Sequence, residues 1–293
     1  ARSVYLDDPH DPRPRPSRLA PTPAVSGPAL AELRRSDRRD AFRSVTTGLV
    51  LPVDHPDDLR ARSLAVASLY PEAVLCGWSA VAVHGGPHPD DAPPEICVGT
   101  SMRRRAGIRI RRFAVPEAAV ATVAGARVTT PRWTAFDLAR FLPFEDAVIA
   151  VESLHGHILR LEHMDETMAA VAGRWGAARA RRVFAVADGR SQSPMETRVR
   201  MTLADAGFTD LVPQVKVAGL GYHLDLADRR RKIAVEYDGD GHFADPARIK
   251  RDIRRRNRLI AQGWTVIVVT KEMYYRNRAE MIRLVAEAYA SRA

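Results

Sequence analysis

The clearest pattern in the chain is a pair of short segments near the C-terminus in which apolar and polar side chains alternate. They are residues 222–227 (YHLDLA) and 232–237 (KIAVEY), separated by the charged residues 228–231. A period of two around a short polar turn predicts a β-hairpin, and alternation puts Ile233 and Val235 on one face of the second strand. The hairpin can therefore set acids from its two strands side by side, and the other face of the second strand carries Lys232, Ala234, Glu236 and Asp238.

The residues around this hairpin predict an α/β domain. Ser193 and Pro194, with Glu196 three residues after the serine, form a capping-box arrangement that predicts a helix start. We predict helices over 193–206, 246–262 and 277–291, and strands over 212–217, 222–227, 232–237 and 264–269. That order indicates a mixed sheet flanked by helices.

The rest of the chain divides by composition into three parts. Residues 1–28 are proline-rich without a periodic apolar face, which predicts an extended arm. Residues 29–130 predict an α+β domain, and residues 131–189 predict a helical connector to the domain at 190–293. Within 29–130 the expected elements are a helix beginning at Leu30 and Leu33, paired strands over 43–53, helices over 57–69 and from Ser79 to His84, and strands over 95–99 and 108–115.

Composition limits the class of protein. The chain has 293 residues, 46% of them hydrophobic, which is enough for more than one buried core. Its two cysteines, Cys76 and Cys97, show neither a CxxC spacing nor a disulfide pattern, so a zinc site is not indicated. No apolar run approaches the roughly 18 residues of a membrane span, and no signal peptide is indicated. We therefore expect a cytoplasmic protein without a membrane partner.

The charge favours an anionic partner. The formal net charge is +10 and the pI is near 10.2, and residues 229–258 hold eleven Lys or Arg against five Asp or Glu. Positive charge surrounding acidic residues suits a polyanionic substrate whose phosphate approaches carboxylates. DNA is the expected partner, with RNA the less expected one. The alternative is that a high arginine content simply produces a soluble surface.

The acidic cluster is the candidate chemistry. Asp225, Glu236, Asp238 and His242 combine hard oxygen ligands with a titratable base inside one strand-rich stretch. A buried carboxylate is costly without a partner, and a divalent cation is one of the few partners that make such placement favourable. A single acid of this kind is more often a surface residue. The combination with Glu196 and His242 favours a metal site for Mg²⁺ or Mn²⁺.

At these residues the chain resembles the PD-(D/E)XK nuclease superfamily, particularly small domains related to the very-short-patch mismatch endonuclease. The similar segments follow the family's order over about residues 190–293. They are SPMETRVRMTLADAGF at 193–208, Gln214 before a strand, YHLDLA at 222–227, IAVEYDGDGH at 233–242 and KRDIRRRNRLIAQGW at 250–264. The resemblance implies a restriction-endonuclease-like fold and metal-dependent hydrolysis of phosphodiester bonds.

The resemblance also implies roles for individual residues. Asp225 would be the central metal ligand and Glu236 the second, with the backbone carbonyl of Tyr237 as a third, while Glu196 contributes from the first helix. His242 would act as general base or polarise the attacking water. The lysine that the superfamily places two residues after the second acid is Asp238 here, so Lys232 or an arginine would have to supply that charge. Asp252 and Arg255 match a family pair that is either buried or contacts phosphate.

A second resemblance covers about residues 46–155, which are similar to AbiEi-type antitoxin proteins. It rests on GLVLPV at 48–53, VLCGWSAVAVHGG at 74–86 and VTTPRWTAFDLAR at 128–140. The resemblance implies a winged-helix-like start to the α+β domain at 29–130. It also implies that this domain engages DNA or takes part in regulation.

Two basic surfaces are candidates for nucleic-acid binding. Arg248, Arg251, Arg255 and Arg258 recur at helical spacing and predict one basic helix face. A solvated helix face is an equally good interpretation. Residues 103–112 carry a second group, namely Arg103, Arg104, Arg105, Arg109 and Arg111, for which a solvated basic strand is the favoured alternative.

The sequence thus supports two functional hypotheses. The first is a Mg²⁺- or Mn²⁺-dependent DNA endonuclease, with catalytic residues in the C-terminal domain. The second is a non-catalytic DNA-binding regulator of the antitoxin type that keeps a nuclease-like fold.

Overall fold

The computed structural model describes residues 24–26, 41–99, 102–239 and 246–292, with backbone alone for Val25 and residues 246–249. Most of the predicted proline-rich arm, the helix predicted at Leu30 and Leu33, and His242 therefore lie outside the described residues. The chain forms two compact units. The first comprises Ala1–His84 with His88–Thr130, and the second comprises Gly85–Pro87 with Pro131–Ala293.

In its described residues, the first unit contains two sheets and two α-helices. Strands β1 (Val25–Ser26), β2 (Phe42–Thr46) and β3 (Leu49–Pro52) form an antiparallel sheet in the order β1-β3-β2. A five-stranded sheet has the order β6-β5-β4-β8-β7. Its strands are β4 (Val74–Leu75), β5 (Glu95–Val98), β6 (Arg109–Arg112), β7 (Val120–Val123) and β8 (Ala126–Thr129). The helices are α1 (Leu59–Leu69) and α2 (Gly77–His84). This unit confirms the predicted α+β class.

Two local features of the first unit differ from the sequence prediction. The prediction that Ser79 caps a helix is wrong, because α2 begins two residues earlier and Ser79 is buried. Its Oγ lies 2.7 Å from Ser63 Oγ and accepts the backbone N–H of Glu95 at 2.7 Å. The hairpin β7–β8 was not predicted. It turns through Ala124 and Gly125, whose φ values of 51° and 78° match a tight hairpin turn.

The second unit begins with a helical layer. It contains α3 (Pro131–Phe141), α4 (Phe144–Leu154), α5 (Met164–Ala170) and α6 (Ala177–Val186), followed by α7 (Pro194–Asp205). Helix α7 begins with the predicted cap, since Ser193 Oγ accepts the N–H of Glu196 at 3.2 Å. The carboxylate of Glu196 accepts the N–H of Gln192 and not that of Ser193, so the capping box is shifted by one residue.

A four-stranded mixed sheet lies at the centre of the C-terminal part. Its order is β12-β11-β10-β9, with β9 (Val212–Lys216), β10 (His223–Asp228), β11 (Ile233–Asp238) and β12 (Thr265–Thr270). Strand β10 is antiparallel to both β9 and β11, whereas β12 is parallel to β11. The parallel crossover contains α8 (Pro246–Ala261), and the chain continues through α9 (Lys271–Arg276) and α10 (Arg278–Ala290).

Apolar clusters cover both faces of this sheet. Ile233 and Val235 of β11 pack with α7, α9 and α10, while Ala234 packs on the other face with Leu259 of α8 and with Trp264. The hairpin alternation therefore separates two buried faces. The predicted mixed sheet flanked by helices is confirmed, and every predicted element from residue 193 onward lies within one residue of its observed bounds. The short helix α9 was not predicted.

In the part of the chain that the structure describes, we find no helix with the length and apolarity needed to cross a bilayer.

Candidate active site

Asp225 and Glu236 lie where strands β10 and β11 stop pairing. The ladder between these strands ends at Leu226 and Val235, so the next position holds Asp225 on one strand and Glu236 on the other. The backbone N–H of Tyr237 donates to Oδ2 of Asp225 at 2.9 Å. The Asp225 side chain therefore accepts a backbone N–H that a continued ladder would have bonded to a strand carbonyl. The two acids lie beside each other where the pairing of the strands ends.

The neighbouring strand β9 has an irregularity at the same level. Leu224 pairs with Val215 and Leu226 pairs with Pro213, which places Gln214 opposite Asp225. Gln214 has φ of 52°, in the left-handed region. Leu224 and Leu226 belong to different core clusters, so the strand's usual alternation is interrupted at Asp225.

Glu196 approaches the acids from the first turn of α7. It is 8% exposed, and its Oε2 accepts two hydrogen bonds of 2.9 Å, from the backbone N–H of Gln192 and from Nε2 of Gln214. The cap at Ser193 fixes where α7 begins and hence where Glu196 lies. Gln214 lies opposite Asp225 in the sheet, so its hydrogen bond places Glu196 at the same end of the hairpin, and the charge of Glu196 raises the pKa of Asp225.

Glu236 is held by an arginine from α8. Arg255 donates through Nη2 to Oε1 at 2.6 Å and through Nη1 to Oε2 at 3.1 Å. Nη2 also donates to the backbone carbonyl of His223 at 2.7 Å, and the guanidinium lies over the ring of Tyr222. Arg255 therefore joins α8 to the start of β10 and to the end of β11 in a bidentate charge-assisted contact.

The electrostatics of the site favour a cation beside Asp225. The pKa of Asp225 is raised to about 6, mainly by burial and also by the charges of Glu196 and Glu236, against the opposing effects of the Tyr237 N–H and Arg255. Burial also raises the pKa of Glu236, although the charge and hydrogen bonds of Arg255 lower it. Three carboxylates with one paired arginine leave negative charge that a divalent ion would neutralise.

The donor set fits a hard metal ion, but the described residues do not supply a complete cage. Among the described residues, no group of three or more His, Cys, Asp or Glu side chains is arranged to hold a metal ion. Mg²⁺ commonly keeps several water ligands and uses one or two carboxylates, which Asp225 and Glu236 can provide with a backbone carbonyl. The oxygen donors at the end of the hairpin therefore fit Mg²⁺ or Mn²⁺.

Other predicted site residues have different positions. Asp238 ends β11 opposite Thr270 of β12, two residues beyond Glu236. Lys232 lies before the start of β11 and donates through Nζ to the carbonyl of Gln262 at 2.9 Å. Four residues of strand separate it from Glu236, about 13 Å. The structure therefore does not bring Lys232 to the carboxylates, and Arg255 is the cation beside them.

The arginines of helix α8 do not all lie on the one exposed face that their spacing predicts. Arg255 turns inward to Glu236, so it does not share the exposed face with Arg251 and Arg258. Asp252 is exposed and is not buried with Arg255 as the sequence prediction allowed. Arg258 donates to the hydroxyl of Tyr222 at 3.2 Å. The side chain of Arg248 lies outside the described residues.

The basic residues of the first unit separate into partnered and exposed groups. Arg109 and Arg111 both bind Glu95, which is fully buried, with contacts of 2.8–3.0 Å. Arg105 donates to the hydroxyl of Tyr70. Arg103 and Arg104 are exposed. Contacts within the fold therefore explain Arg105, Arg109 and Arg111, which the sequence pattern had grouped as candidates for nucleic-acid binding.

Two participants of the second unit were missed as functional residues. The amide of Gln214 binds Glu196. Gln214 belongs to the segments that carry the first resemblance, but no role was predicted for it from the sequence. Glu152 of α4 accepts from Asp188 N at 2.6 Å, from Thr197 Oγ1 at 2.5 Å and from Arg200, and so supports α7 from the helical layer. Helical periodicity marks Glu152 only as a polar residue, and no sequence signal shows that it is buried.

Comparisons with known proteins assign likenesses to both parts of the chain. Residues 195–288 match the family model REase_MTES_1575, a restriction-endonuclease-like domain. Residues 73–186 match the AbiEi antitoxin C-terminal domain. Two uncharacterized proteins of Mycobacterium tuberculosis, MT2308 and Rv2248, are each 29% identical over 212 residues, which cover 70% of this chain and 74% of each relative. Both predicted resemblances are thereby confirmed.

Proposed function

We propose that the C-terminal α/β domain is a metal-dependent DNA endonuclease that hydrolyses phosphodiester bonds. The observation that supports it best is the meeting of Asp225, Glu236 and Glu196 at one end of the hairpin, where burial and mutual charge raise the pKa of Asp225 to about 6. Burying like charges together is costly, and such clusters are characteristic of functional sites. The restriction-endonuclease-like match spans all three acids.

In this proposal Asp225 and Glu236 would hold Mg²⁺ or Mn²⁺ together with the backbone carbonyl of Tyr237. The ion, when bound, would neutralise charge at the scissile phosphate and lower the pKa of a coordinated water. The Tyr237 N–H fixes one oxygen of Asp225, and Arg255 orients the carboxylate of Glu236. His242, which the structure does not describe, retains the base role that the resemblance implies.

Arg255 also replaces part of the charge that the absent lysine would supply. Its guanidinium is the cation nearest to Glu236 in the described site, and Asp238 occupies the position of the lysine. Because both terminal nitrogens already bind Glu236, Arg255 acts through the orientation of that carboxylate. The exposed cations of α8 are the proposed contacts to the DNA backbone, and they include Arg251, Arg254 and Arg258.

Cleavage assays test the proposal directly. Purified full-length protein would be incubated with supercoiled, linear, single-stranded and mismatched DNA in Mg²⁺, Mn²⁺ or EDTA. We expect metal-dependent cleavage that disappears in the double variant Asp225→Ala and Glu236→Ala. The matched control replaces two acids whose side chains are each 78% exposed, Glu117→Ala and Glu272→Ala, and should cleave like the wild type. Cleavage that persists in the site variant would overturn the assignment.

The alternative function is a non-catalytic, DNA-binding regulator of the antitoxin type. The AbiEi-like match over residues 73–186 is the observation that favours it. A regulator would bind DNA with a strong dependence on salt and would not cleave it. Calorimetry with Mn²⁺ separates the two, because a nuclease site should show metal binding that Asp225→Ala abolishes, whereas a regulator should show none. An RNA substrate in place of DNA is tested in the same cleavage assay.

A further inference from the structure

Gln214 has an unusual backbone conformation for a residue inside a strand. Its φ is 52°, a region that non-glycine residues rarely adopt because Cβ crowds the neighbouring carbonyl. Ala124 and Lys232, the other non-glycine residues with positive φ in the described ranges, lie in turns. Gln214 lies within β9, opposite Asp225. Strain of this kind persists where the surrounding structure imposes it, and it is concentrated at functional sites.

The side chain of Gln214 makes a specific contact from this position. Nε2 donates to Oε2 of Glu196 at 2.9 Å, and the same oxygen accepts the N–H of Gln192 at 2.9 Å. Glu196 is 8% exposed, so its carboxylate has little room to adopt other orientations. Oε1 accepts no hydrogen bond from any residue in the described segments. Two donors therefore fix one oxygen of Glu196.

We infer that Gln214 is a positioning residue, whose amide holds the carboxylate of Glu196 toward Asp225. The backbone strain at Gln214 and the interruption of the ladder at Asp225 occur at the same register position. This one irregularity therefore involves Gln214 of β9, Asp225 of β10 and, through the amide contact, Glu196 of α7. This inference rests on the proposed nuclease function, because it assigns Gln214 to the orientation of that site. Gln214 itself does not contact the reacting atoms.

Replacing Gln214 by glycine tests the amide contact without the cost of backbone strain. Gln214→Gly removes the contact with Glu196 and tolerates the left-handed backbone, so the melting temperature should change little. Cleavage at saturating Mn²⁺ should fall by about 10- to 100-fold, as for other residues that orient a ligand from behind it. Gln214→Glu keeps the length, faces Glu196 with a second carboxylate and should lose at least as much activity. Ala124→Gly, at φ of 51° in a turn, is the matched control and should leave cleavage unchanged.

A double-mutant cycle in melting temperature gives a readout independent of cleavage. If Gln214 holds Glu196, the effects of Gln214→Gly and Glu196→Ala should be non-additive, and in the Glu196→Ala background the glycine should raise the melting temperature because only strain is relieved. A wild type that fails to cleave would overturn the proposed nuclease function. A Gln214→Gly variant as active as a cleaving wild type, or additive melting shifts, would overturn this inference alone.

Discussion

The backbone N–H of Tyr237 donates a 2.9 Å hydrogen bond to Oδ2 of Asp225 at the point where the ladder between β10 and β11 has ended. A carboxylate that replaces a strand carbonyl as acceptor stays inside the sheet, where burial raises its pKa to about 6. The fold therefore holds an acid that is costly to ionise next to two others. That cost gives Asp225 a measurable effect on stability.

Asp225→Asn should stabilise the metal-free protein at pH 7.5. The folded-state pKa of about 6 lies above the ordinary value of 3.8, so the stability that Asp225 contributes below pH 4 is lost as the pH rises through 6. Asparagine has no ionisation cost and can still accept the Tyr237 N–H. We expect a melting temperature about 2–4 °C above the wild type at pH 7.5, with the difference shrinking toward pH 4.5.

Thermal melts between pH 4.5 and 8 in EDTA would measure this difference. Adding Mn²⁺ should reverse the order, because only the wild type gains stability from metal binding. A constant gap between the two proteins at every pH would show that Asp225 titrates normally.

Arg255→Ala should destabilise the protein and reduce cleavage. The variant removes both contacts to Glu236 and leaves a carboxylate whose side chain is only 13% exposed without its cation. We expect a loss of about 1–3 kcal/mol in the free energy of unfolding, measured by urea denaturation. Arg255→Lys keeps the charge but not the two parallel hydrogen bonds, so it should recover only part of the stability.

Arg254→Ala is the matched control for this experiment. Arg254 is the neighbouring residue on α8 and is exposed, so its removal should change the free energy of unfolding by less than about 0.5 kcal/mol. Equal losses for Arg254→Ala and Arg255→Ala would contradict the structural role of the Glu236 contact.

The hairpin and its acids were predictable because their signal is local. Alternation within 222–237 predicts the two strands, and the short turn between them predicts that Asp225 and Glu236 lie beside each other. Their roles as metal ligands are implied by the resemblance and stay a prediction. The contact between Arg255 and Glu236 could not be predicted from this local pattern, since it depends on how α8 packs over the sheet. Helical spacing grouped Arg255 with Arg251 and Arg258, whereas packing turned it inward.

Other errors have the same origin in tertiary structure. Ser79 has the residue type of a helix cap, but a buried contact with Ser63 fixes it inside α2. The conformation of Gln214 depends on a strand pairing that no residue type signals. The hairpin β7–β8 was missed because its two strands are short and its apolar alternation is weak.

Glu152→Ala should be among the most destabilising single changes in the second unit. Glu152 is 4% exposed, and it accepts hydrogen bonds from Asp188 N, Thr197 Oγ1 and Arg200, whose side chain is 11% exposed. Removing it leaves a largely buried arginine without its partner, which costs about 3–5 kcal/mol. Because Thr197 follows Glu196, cleavage should also fall.

Glu145→Ala provides a control on the same helix. Glu145 also pairs with an arginine of α7, Arg198, but its side chain is 43% exposed. The expected cost in urea denaturation is at most about 1 kcal/mol, because solvent screens the pair. If the two variants lost similar stability, burial would not be what distinguishes these contacts.

The basic strand region of the first unit should divide into residues that bind DNA and residues that maintain the fold. Arg103 and Arg104 are exposed, so Arg103→Ala with Arg104→Ala should weaken DNA binding and reduce the slope of log affinity against log salt by about 1–2. Their loss should leave the melting temperature unchanged. Fluorescence anisotropy with a labelled duplex at several salt concentrations measures both the affinity and the slope.

Arg111→Ala should show the opposite behaviour. Its guanidinium makes two hydrogen bonds to Glu95, whose side chain is 1% exposed, so its removal should cost about 1–3 kcal/mol of stability. The salt slope should stay within error of the wild type, because a guanidinium that neutralises a buried carboxylate does not release counterions from DNA. A reduced slope in a folded Arg111→Ala variant would place Arg111 on the DNA and would mean that Glu95 serves to orient it there.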